Sequence, residues 1–203
     1  MGSTLKLLRR NILKGTTKVI KLIPVTEDNW LDVASLAVKE HQRSYVAPAI
    51  GILARGYVYR NCNAKVYAFE ENGVIVGTTL IREFTEEPLG YDLQQFMVDR
   101  QYQNKGYGSQ ALQLILDELR KEGRYDHVEL CVKKADAEAI HLYEKYGFID
   151  SGYVDEDLPD SLNMICYLSE KDRRKSSDFE INDPGNHTEQ TEECGLHICR
   201  HNE

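Results

Sequence analysis

Apolar positions along the chain fall into short runs typical of strands and into longer stretches with the three- and four-residue spacing of helices. The clearest strand signal is KVYAFEENGVIVGTTLIREF (65–84), in which Asn72 and Gly73 separate two apolar runs. Asn-Gly tolerates the positive φ angles of a type I′ turn, so the segment predicts a β-hairpin. Further strands are predicted at 18–25, 91–98, 127–133, 148–154 and 162–168.

Helical spacing of apolar residues predicts about four helices between and before these strands. The first is expected to follow Thr26, whose side chain can cap an acidic first turn, and to include the apolar positions from Trp30 to Val38. The last is expected to follow Asp136 as its cap and to end at Gly147, where a C′ glycine is favoured. The remaining two are predicted at 48–56 and 108–123. Strands interleaved with helices in this order indicate an α/β (α+β) fold.

The predicted elements divide the 203 residues into one domain with two extensions. Residues 18–168 hold all of these strands and helices and form the domain. Residues 1–17 are a basic N-terminal extension, and residues 169–203 are a polar C-terminal tail, expected to be disordered because few apolar side chains offset the entropy of ordering. No apolar run approaches the roughly 18 residues that cross a bilayer, so we expect a soluble protein without a membrane partner.

Charge and cysteine content narrow the classes of partner and compartment. The formal net charge is −8, and acids outnumber bases within residues 22–168. Nucleic-acid binding requires a basic face, so nucleic acid is excluded as the main partner, whereas a small cationic molecule is favoured. The five cysteines have no regular spacing, which predicts free thiols in a reducing compartment, the cytoplasm.

Cysteine and histidine cluster near the C-terminus, at Cys194, His197, Cys199 and His201. These residue types bind zinc, but their spacing matches no standard structural zinc site. We therefore expect no metal.

The segment QNKGYGS (103–109) is the first indication of chemistry. It follows the predicted strand 91–98 and leads into the helix 108–123. Backbone N–H groups at a helix start lack partners within the helix, and glycine lets an anion approach them closely. The segment contains Lys105 and no carboxylate, as a phosphate site favours. It lacks the further glycine and acid of a dinucleotide fingerprint and the Gly-Lys-Ser/Thr of a Walker motif, and a tight turn with purely geometric glycines is the alternative.

A second motif lies in the last predicted helix, where Leu142 and Tyr143 are followed by Gly147 and Phe148. This Leu-Tyr-x-x-x-Gly-Phe pattern and the QNKGYG turn together resemble the GCN5-related N-acetyltransferases (the GNAT superfamily), over about residues 20 to 168. Within that family, DNWLDVASLAVKEHQRSYVAP (28–48) and FMVDRQYQNKGYG (96–108) look most like the bacterial spermine/spermidine (diamine) acetyltransferases.

The resemblance implies a fold and a co-substrate. The GNAT fold has a mixed, mostly antiparallel central sheet of about six or seven strands, with about four flanking helices. The sheet splays apart between two central parallel strands, which would be 91–98 and 127–133 here. In the family, acetyl-CoA binds in that opening as a co-substrate. Members are often dimers, so a homodimer is a further expectation.

Specific residues for the acetyl donor also follow from the resemblance. The main chain of Phe96, Met97 and Val98 is expected to bind the pantetheine arm, and Val98 N–H is a candidate donor to the oxyanion. Asp136 replaces the usual Asn of the family and is a weaker candidate contact. Tyr143 is the expected general acid for the departing thiolate. The diphosphate is expected on a turn formed by Gln103, Asn104, Lys105, Gly106, Tyr107, Gly108 and Ser109.

The identity of the proton acceptor is left open by the sequence. Polyamine acetyltransferases often have a carboxylate two residues before the Phe of the central strand, but this chain has Gln94 there, and an amide is not a useful base. Asp92 is one alternative, because period-2 alternation places it on the same strand face as Gln94. Glu83, on the neighbouring strand, is the other.

Acids that suit a second ammonium group are Glu40 and those of the turn DEDLPD (155–160), although such a turn is commonly just solvated. Tyr45 lies in a loop that commonly lines the acceptor site of the family. The leading interpretation is acetyl transfer from acetyl-CoA to a primary amine of a small cationic acceptor, such as spermidine or spermine. The alternatives are another amine, such as an aminoglycoside or a protein N-terminus, and a non-catalytic acyl-CoA sensor, which the missing carboxylate at Gln94 favours.

Overall fold

A computed structural model describes residues 19–169 of the chain. A seven-stranded sheet forms its centre, in the order β1-β2-β3-β4-β5-β7-β6. The mixed α+β prediction and the strand count are therefore confirmed. The elements in chain order are β1 (Lys21–Pro24), α1 (Trp30–Ala34), α2 (Ala49–Val58), β2 (Lys65–Glu71), β3 (Val74–Glu83), β4 (Tyr91–Val98), α3 (Tyr107–Glu122), β5 (His127–Lys133), α4 (Ala137–Lys145), β6 (Ile149–Asp150) and β7 (Ser161–Tyr167).

Several elements form where local sequence chemistry predicts them. Asn72 and Gly73 have φ angles of 51° and 83° and join β2 to β3 as the predicted hairpin turn. Gly123 ends α3 in the left-handed conformation, with φ 60°. The side chain of Asp136 caps α4 by accepting a hydrogen bond of 3.2 Å from Ala139 N–H.

The first helix is shorter than its apolar pattern predicts. It begins after Asn29 rather than at the turn following Thr26, and it ends at Ala34 rather than near Val38. Tertiary contacts explain the early end, because the buried Asp99 carboxylate accepts a hydrogen bond of 2.9 Å from Ala37 N–H. Such long-range contacts override local helix propensity.

Helices cover both faces of the sheet and create two apolar cores. On one face, α1 and α2 pack residues such as Val33 and Ile52 against Leu80 and Met97. The other face packs against α3 and α4, whose buried side chains are Tyr107, Ala111, Leu112, Ile115, Leu116, Leu119 and Tyr143. None of the helices within residues 19–169 combines the length and the apolar composition needed to cross a membrane.

The parallel strands β4 and β5 are paired over a short distance. Their register joins Tyr91 to Val128 and Asp92 to Glu129. Beyond Asp92 and Glu129, β4 continues along β3 and β5 continues along β7, each in an antiparallel pair. The two strands therefore diverge, and the backbone edges that face each other across the gap are available to a ligand.

A β-bulge at Gln94 shifts the side-chain alternation of β4. Leu80 pairs with Gln95 and Ile81 pairs with Leu93, so Gln94 is the extra residue. Consequently, Leu93 faces the α3 and α4 core whereas Met97 faces the α1 and α2 core. The bulge places Asp92 in phase with Gln95, and Asp92 and Gln94 both line the same cleft.

Candidate active site

A cleft of about 320 Å³ opens where β4 and β5 diverge. Its walls come from both strands, from the start of α3, from α4, and from the segment that precedes α2. The cleft thus lies between the two helical layers at the splayed centre of the sheet. Among the residues predicted from sequence, it is lined by Tyr45, Asp92, Gln94, Phe96, Met97, Val98, Gln103, Asn104, Gly106, Gly108, Ser109, Asp136 and Tyr143.

The glycine turn between β4 and α3 has the backbone geometry of an anion site. Asn104 and Gly106 have positive φ angles of 59° and 86°, and α3 begins directly afterwards. The N–H groups of Gly108 and Ser109 lie in the first helical turn, where the helix itself provides no acceptors and the dipole is positive. A Cβ at Gly108 would lie 3.4 Å from the Leu142 side chain. The absence of that atom leaves the helix start open to a close ligand.

Gln103 connects the glycine turn to both sides of the cleft. Its side-chain N–H donates to Gln42 Oε1 at 2.8 Å and to the Val98 carbonyl at 3.1 Å. Gln42 belongs to a short 3-10 helix in the segment before α2. One amide therefore fixes the turn relative to the end of β4 and to the acceptor-side segment.

Two residues of the predicted turn have side chains that do not face the cleft. The Lys105 ammonium donates to the Gln101 carbonyl at 2.6 Å and lies over the Tyr102 ring. Tyr107 is buried, and its hydroxyl donates to Glu71 Oε2. That hydrogen bond, together with desolvation, raises the pKa of Tyr107 to about 12. Neither side chain lines the cleft, so each contributes to the turn through its backbone or its fold contacts.

Tyr143 lies at the side of the cleft formed by α4. It is 7% exposed and packs at ring-centroid distances of 6.4 Å from Phe96 and 5.6 Å from Phe148. Burial, and secondarily the charge of Asp136, raises the pKa of Tyr143 above its usual value. The phenol therefore holds its proton throughout the neutral pH range, as a proton donor must.

Asp136 lies at the N-terminus of the same helix and also lines the cleft. Burial raises the pKa of its carboxyl, and the hydrogen bond from Ala139 N–H opposes that effect. Because one of its oxygens caps α4, the residue fixes the helix that carries Tyr143.

Asp92 is the carboxylate at the vertex of the cleft. It is 2% exposed, and its Oδ2 pairs with Arg82 Nε at 2.7 Å. Burial raises the pKa of Asp92 to about 6, with Glu129 adding to the rise and Arg82 opposing it. The guanidinium of Arg82 in turn lies 4.3 Å from the centre of the Tyr59 ring. A carboxyl with a pKa near 6 is ionised at neutral pH and retains useful basicity.

Two glutamines line the cleft beyond Asp92. The Oε1 atom of Gln94 is buried and has no hydrogen-bond partner among residues 19–169. Gln95 Oε1, in contrast, accepts a hydrogen bond of 3.0 Å from Ala47 N–H and holds the segment before α2 against β4. The side-chain carbonyl of Gln94 is therefore available as an acceptor, whereas that of Gln95 is structural.

The predicted acids other than Asp92 and Asp136 do not come to the cleft. Glu83 is held by Arg124 at 2.7 Å and by the Tyr125 hydroxyl at 3.1 Å, on the far side of β4 and β3. Glu40 is exposed and pairs with Arg43 at 2.9 Å. The acidic turn 155–160 is mostly exposed and does not line the cleft.

Other cleft residues were not predicted from sequence. Gln42, Arg55, Cys131 and Lys133 line the cleft along with the predicted residues. Strand alternation would have identified Cys131 and Lys133, because they lie two and four residues after Glu129 and share its face of β5. Arg55 comes from α2 and reaches the cleft through tertiary packing. The Cys194 to His201 cluster and the two terminal extensions up to residue 17 and from residue 170 lie outside the described residues.

The cleft thus combines a sheet splayed at one parallel pair, a glycine turn at a helix start and a tyrosine on the following helix. The family model described as "Acetyltransferase (GNAT) family" matches residues 27–148. The chain belongs to this family, and it is an N-acetyltransferase of the GNAT type.

Named relatives agree with that assignment. The chain is 27% identical over 146 residues to the spermine/spermidine N(1)-acetyltransferase of Bacillus subtilis, covering 67% of this chain and 91% of the relative. The structure of Vibrio cholerae spermidine N-acetyltransferase, a complex with CoA and spermine, matches 74% of this chain and 96% of its own, with TM-score 0.59 and 17% identity. The Escherichia coli ribosomal-protein-S18-alanine N-acetyltransferase matches 74% of this chain and 95% of its own, with TM-score 0.55 and 20% identity. The two structural matches support the fold.

Proposed function

We propose that this enzyme transfers acetyl from acetyl-CoA to a primary amine of a small cationic acceptor, a polyamine such as spermidine or spermine. The observation that carries the proposal is the cleft at the divergence of β4 and β5, which combines a buried Tyr143 with a buried Asp92. The named relatives that act on spermine and spermidine favour a polyamine over other amines.

The fit of the glycine turn supports acetyl-CoA as the donor. The first turn of α3 presents backbone N–H groups and a positive dipole to a diphosphate, and Gly106 and Gly108 leave room for close approach. Further along, the unpaired edge of β4 at Phe96, Met97 and Val98 offers main-chain groups to the amides of the pantetheine arm. An acetyl thioester supplies the acyl group and a thiolate leaving group of moderate basicity.

Asp92 is the proton acceptor in this proposal. An alkylammonium with a pKa near 10.4 is deprotonated in only about one molecule in a thousand or fewer at neutral pH, so the attacking amine must lose a proton. Asp92 accepts it, directly or through one water, from an amine that Gln94 Oε1 orients by accepting a second N–H. Glu83 has no part in this proposal, because Arg124 and Tyr125 engage it away from the cleft.

Tyr143 is the proton donor. Attack of the amine forms a bond to the thioester carbon and an oxyanion, for which Val98 N–H is the proposed donor. Collapse of this intermediate breaks the C–S bond and releases a thiolate, with a pKa near 8.5 for a comparable thiol. Tyr143 gives its proton to that sulfur and recovers one from solvent. The amine's two lost protons are thus balanced by one on the thiol and one released to water.

A second candidate acceptor is the N-terminus of a protein. The cleft is lined by the cationic Arg55 and Lys133 as well as by the acidic Asp92, Asp136 and Glu138, and Asp92 is already paired with Arg82. Such a lining suits an acceptor with one ammonium group better than a polycation. The Escherichia coli relative that acts on an S18 alanine provides a precedent for this acceptor class in a similar fold.

An acceptor panel tests the proposal. The full-length chain is incubated with acetyl-CoA and with spermidine, spermine, putrescine or short peptides, and the release of free CoA is measured. We expect turnover with polyamines, and turnover confined to peptides would assign the second candidate. If acetyl-CoA binds but no amine is acetylated, the acyl-CoA sensor is the correct function. A cytoplasmic location and a homodimer stay predictions.

A further inference from the structure

Glu129 is a buried carboxylate that the proposed reaction does not use. It is 8% exposed and lies on β5, directly across from Asp92 in the parallel register. Paired residues on neighbouring strands lie about 4.8 Å apart along the hydrogen-bonding direction and project from the same face. Two carboxylates are therefore held side by side at the last paired position before the strands diverge.

The two acids have different counter-charges. Asp92 pairs with Arg82 of β3 at 2.7 Å, whereas Glu129 Oε1 lies 3.5 Å from His127 Nε2. The latter distance is that of an ion pair and is too long for a hydrogen bond. His127 also contacts the exposed Asp126, with Nδ1 and Oδ1 2.7 Å apart. A fixed cation thus neutralises Asp92, and a titratable one faces Glu129.

Besides Arg82 and His127, the charged side chains that line the same cleft as Asp92 are the cationic Arg55 and Lys133 and the acidic Asp136 and Glu138. Facing His127 from β7 is the ring of Tyr167, and Gly90 approaches the imidazole so closely that a Cβ would lie 2.5 Å from Nε2. The Tyr59 ring covers Arg82. Packing against Tyr167 and Gly90 therefore holds the imidazole beside Glu129.

We propose that Glu129 is a positioning residue for the reaction: acting across the strand pair, it disfavours a second negative charge on Asp92 and so raises the lower pH limit of activity. The inference rests on the proposed role of Asp92. A negative neighbour makes Asp92 a stronger proton acceptor, because two like charges in a dry site resist simultaneous ionisation. The carboxylates of Glu129 and then Asp126 raise the pKa of His127, so the protonated imidazole moderates this effect at acidic pH.

The test is the pH dependence of kcat/KM with the best acceptor from the panel. Its acidic limb reports essential groups of the free enzyme. We expect Glu129→Gln to move the midpoint of that limb to lower pH by about half a unit to one unit, since a like charge has been removed. Glu144→Gln, at an exposed position of α4, removes the same charge outside the cleft and should leave the midpoint unchanged. A midpoint that is identical in both variants and the wild type would overturn the inference.

A second measurement follows Asp92 directly and does not depend on catalysis. Carboxyl carbon NMR follows the titration of Asp92, whose resonance is assigned by its loss in Asp92→Asn. We expect the midpoint of the Asp92 titration to lie at lower pH in Glu129→Gln than in the wild type and to be unchanged in Glu144→Gln. The same midpoint in all three proteins excludes the coupling. Full activity of Asp92→Asn would instead refute the proposed proton acceptor, so the two failures are distinguishable.

Discussion

Gln103 in the glycine turn donates a hydrogen bond of 2.8 Å to the side chain of Gln42, which lies in the segment bordering the acceptor side of the cleft. The same amide donates to the Val98 carbonyl at the end of β4. The donor and acceptor halves of the site are therefore joined by one side chain. The conformation of the glycine turn and the conformation of the segment before α2 therefore depend on each other.

Loss of this connection should weaken the binding of both substrates. A buried neutral hydrogen bond contributes about 0.5–1.5 kcal/mol, so Gln103→Leu is expected to raise KM for acetyl-CoA and for the amine by roughly 3- to 10-fold. Gln101→Leu is the matched control, because Gln101 is exposed and outside the cleft. Steady-state kinetics with each substrate varied in turn measure the effect. A change confined to acetyl-CoA would show that the two halves are independent.

Replacement of Tyr143 by Phe should remove the proton donor while keeping the ring contacts with Phe96 and Phe148. General acid catalysis contributes about 10²- to 10⁴-fold, so kcat should fall by about 10²-fold or more. The fold and acetyl-CoA affinity should be retained. Tyr146→Phe, one turn further along the chain, is the control and should have near-normal kcat. Single-turnover kinetics measure the chemical step, and an unchanged rate in Tyr143→Phe would remove the assignment.

Gly106 should be needed for the conformation of the turn itself. Its φ of 86° is left-handed, and a non-glycine residue there costs about 1–2 kcal/mol. We therefore expect Gly106→Ala to lower the free energy of unfolding by that amount in urea denaturation. Gly51→Ala is the comparison, because a Cβ there meets nothing closer than 3.8 Å and lies within α2. That variant should be neutral or more stable, by up to about 1 kcal/mol.

The pH dependence of stability should contain a contribution from Asp92. Its pKa is about 6 in the folded protein and near 3.8 when unperturbed, so the folded state binds the proton more tightly. The stabilising contribution is complete below pH 4 and is lost as the pH rises from about 4 to about 6. Wild-type protein should lose on the order of 1–3 kcal/mol across this window relative to Asp92→Asn. Urea unfolding of both proteins at pH 4.5 and 7 measures the difference, and parallel pH profiles would contradict it.

The raised pKa of Asp92 links the stability of the protein to its proposed activity. In the proposed reaction Asp92 accepts a proton only when ionised, at a pH above about 6, which is where its burial is least favourable. The Arg82 guanidinium, 2.7 Å from the carboxylate, reduces that cost. The site therefore retains a basic carboxylate at the expense of some stability.

Local chemistry made much of the fold predictable. The Asn72-Gly73 turn, Gly123 and the Asp136 cap act over a few residues, and strands β4 and β5 coincide with their apolar runs. The glycine turn and Tyr143 were also found from sequence, and the cleft includes both. Each of these signals depends on neighbours in the chain.

Features that depend on distant partners were not predictable. The bulge at Gln94 arises from its pairing with β3, and the early end of α1 arises from Asp99. Glu83 is a candidate base by its position on β3, but Arg124, far along the chain, pairs with it. Arg55 reaches the cleft through the packing of α2 alone. A single sequence contains no record of these pairings.

Calorimetric titration with acetyl-CoA tests the central claim most directly. We predict saturable binding of one acetyl-CoA per chain to the folded wild-type protein. Gly108→Val, with its folding verified by circular dichroism, should bind at least 10-fold more weakly, because the new side chain fills the cleft beside Leu142 at the helix start. Folded protein that gives no heat of binding, or a Gly108→Val variant with wild-type affinity, would contradict the location of the donor site between β4 and β5.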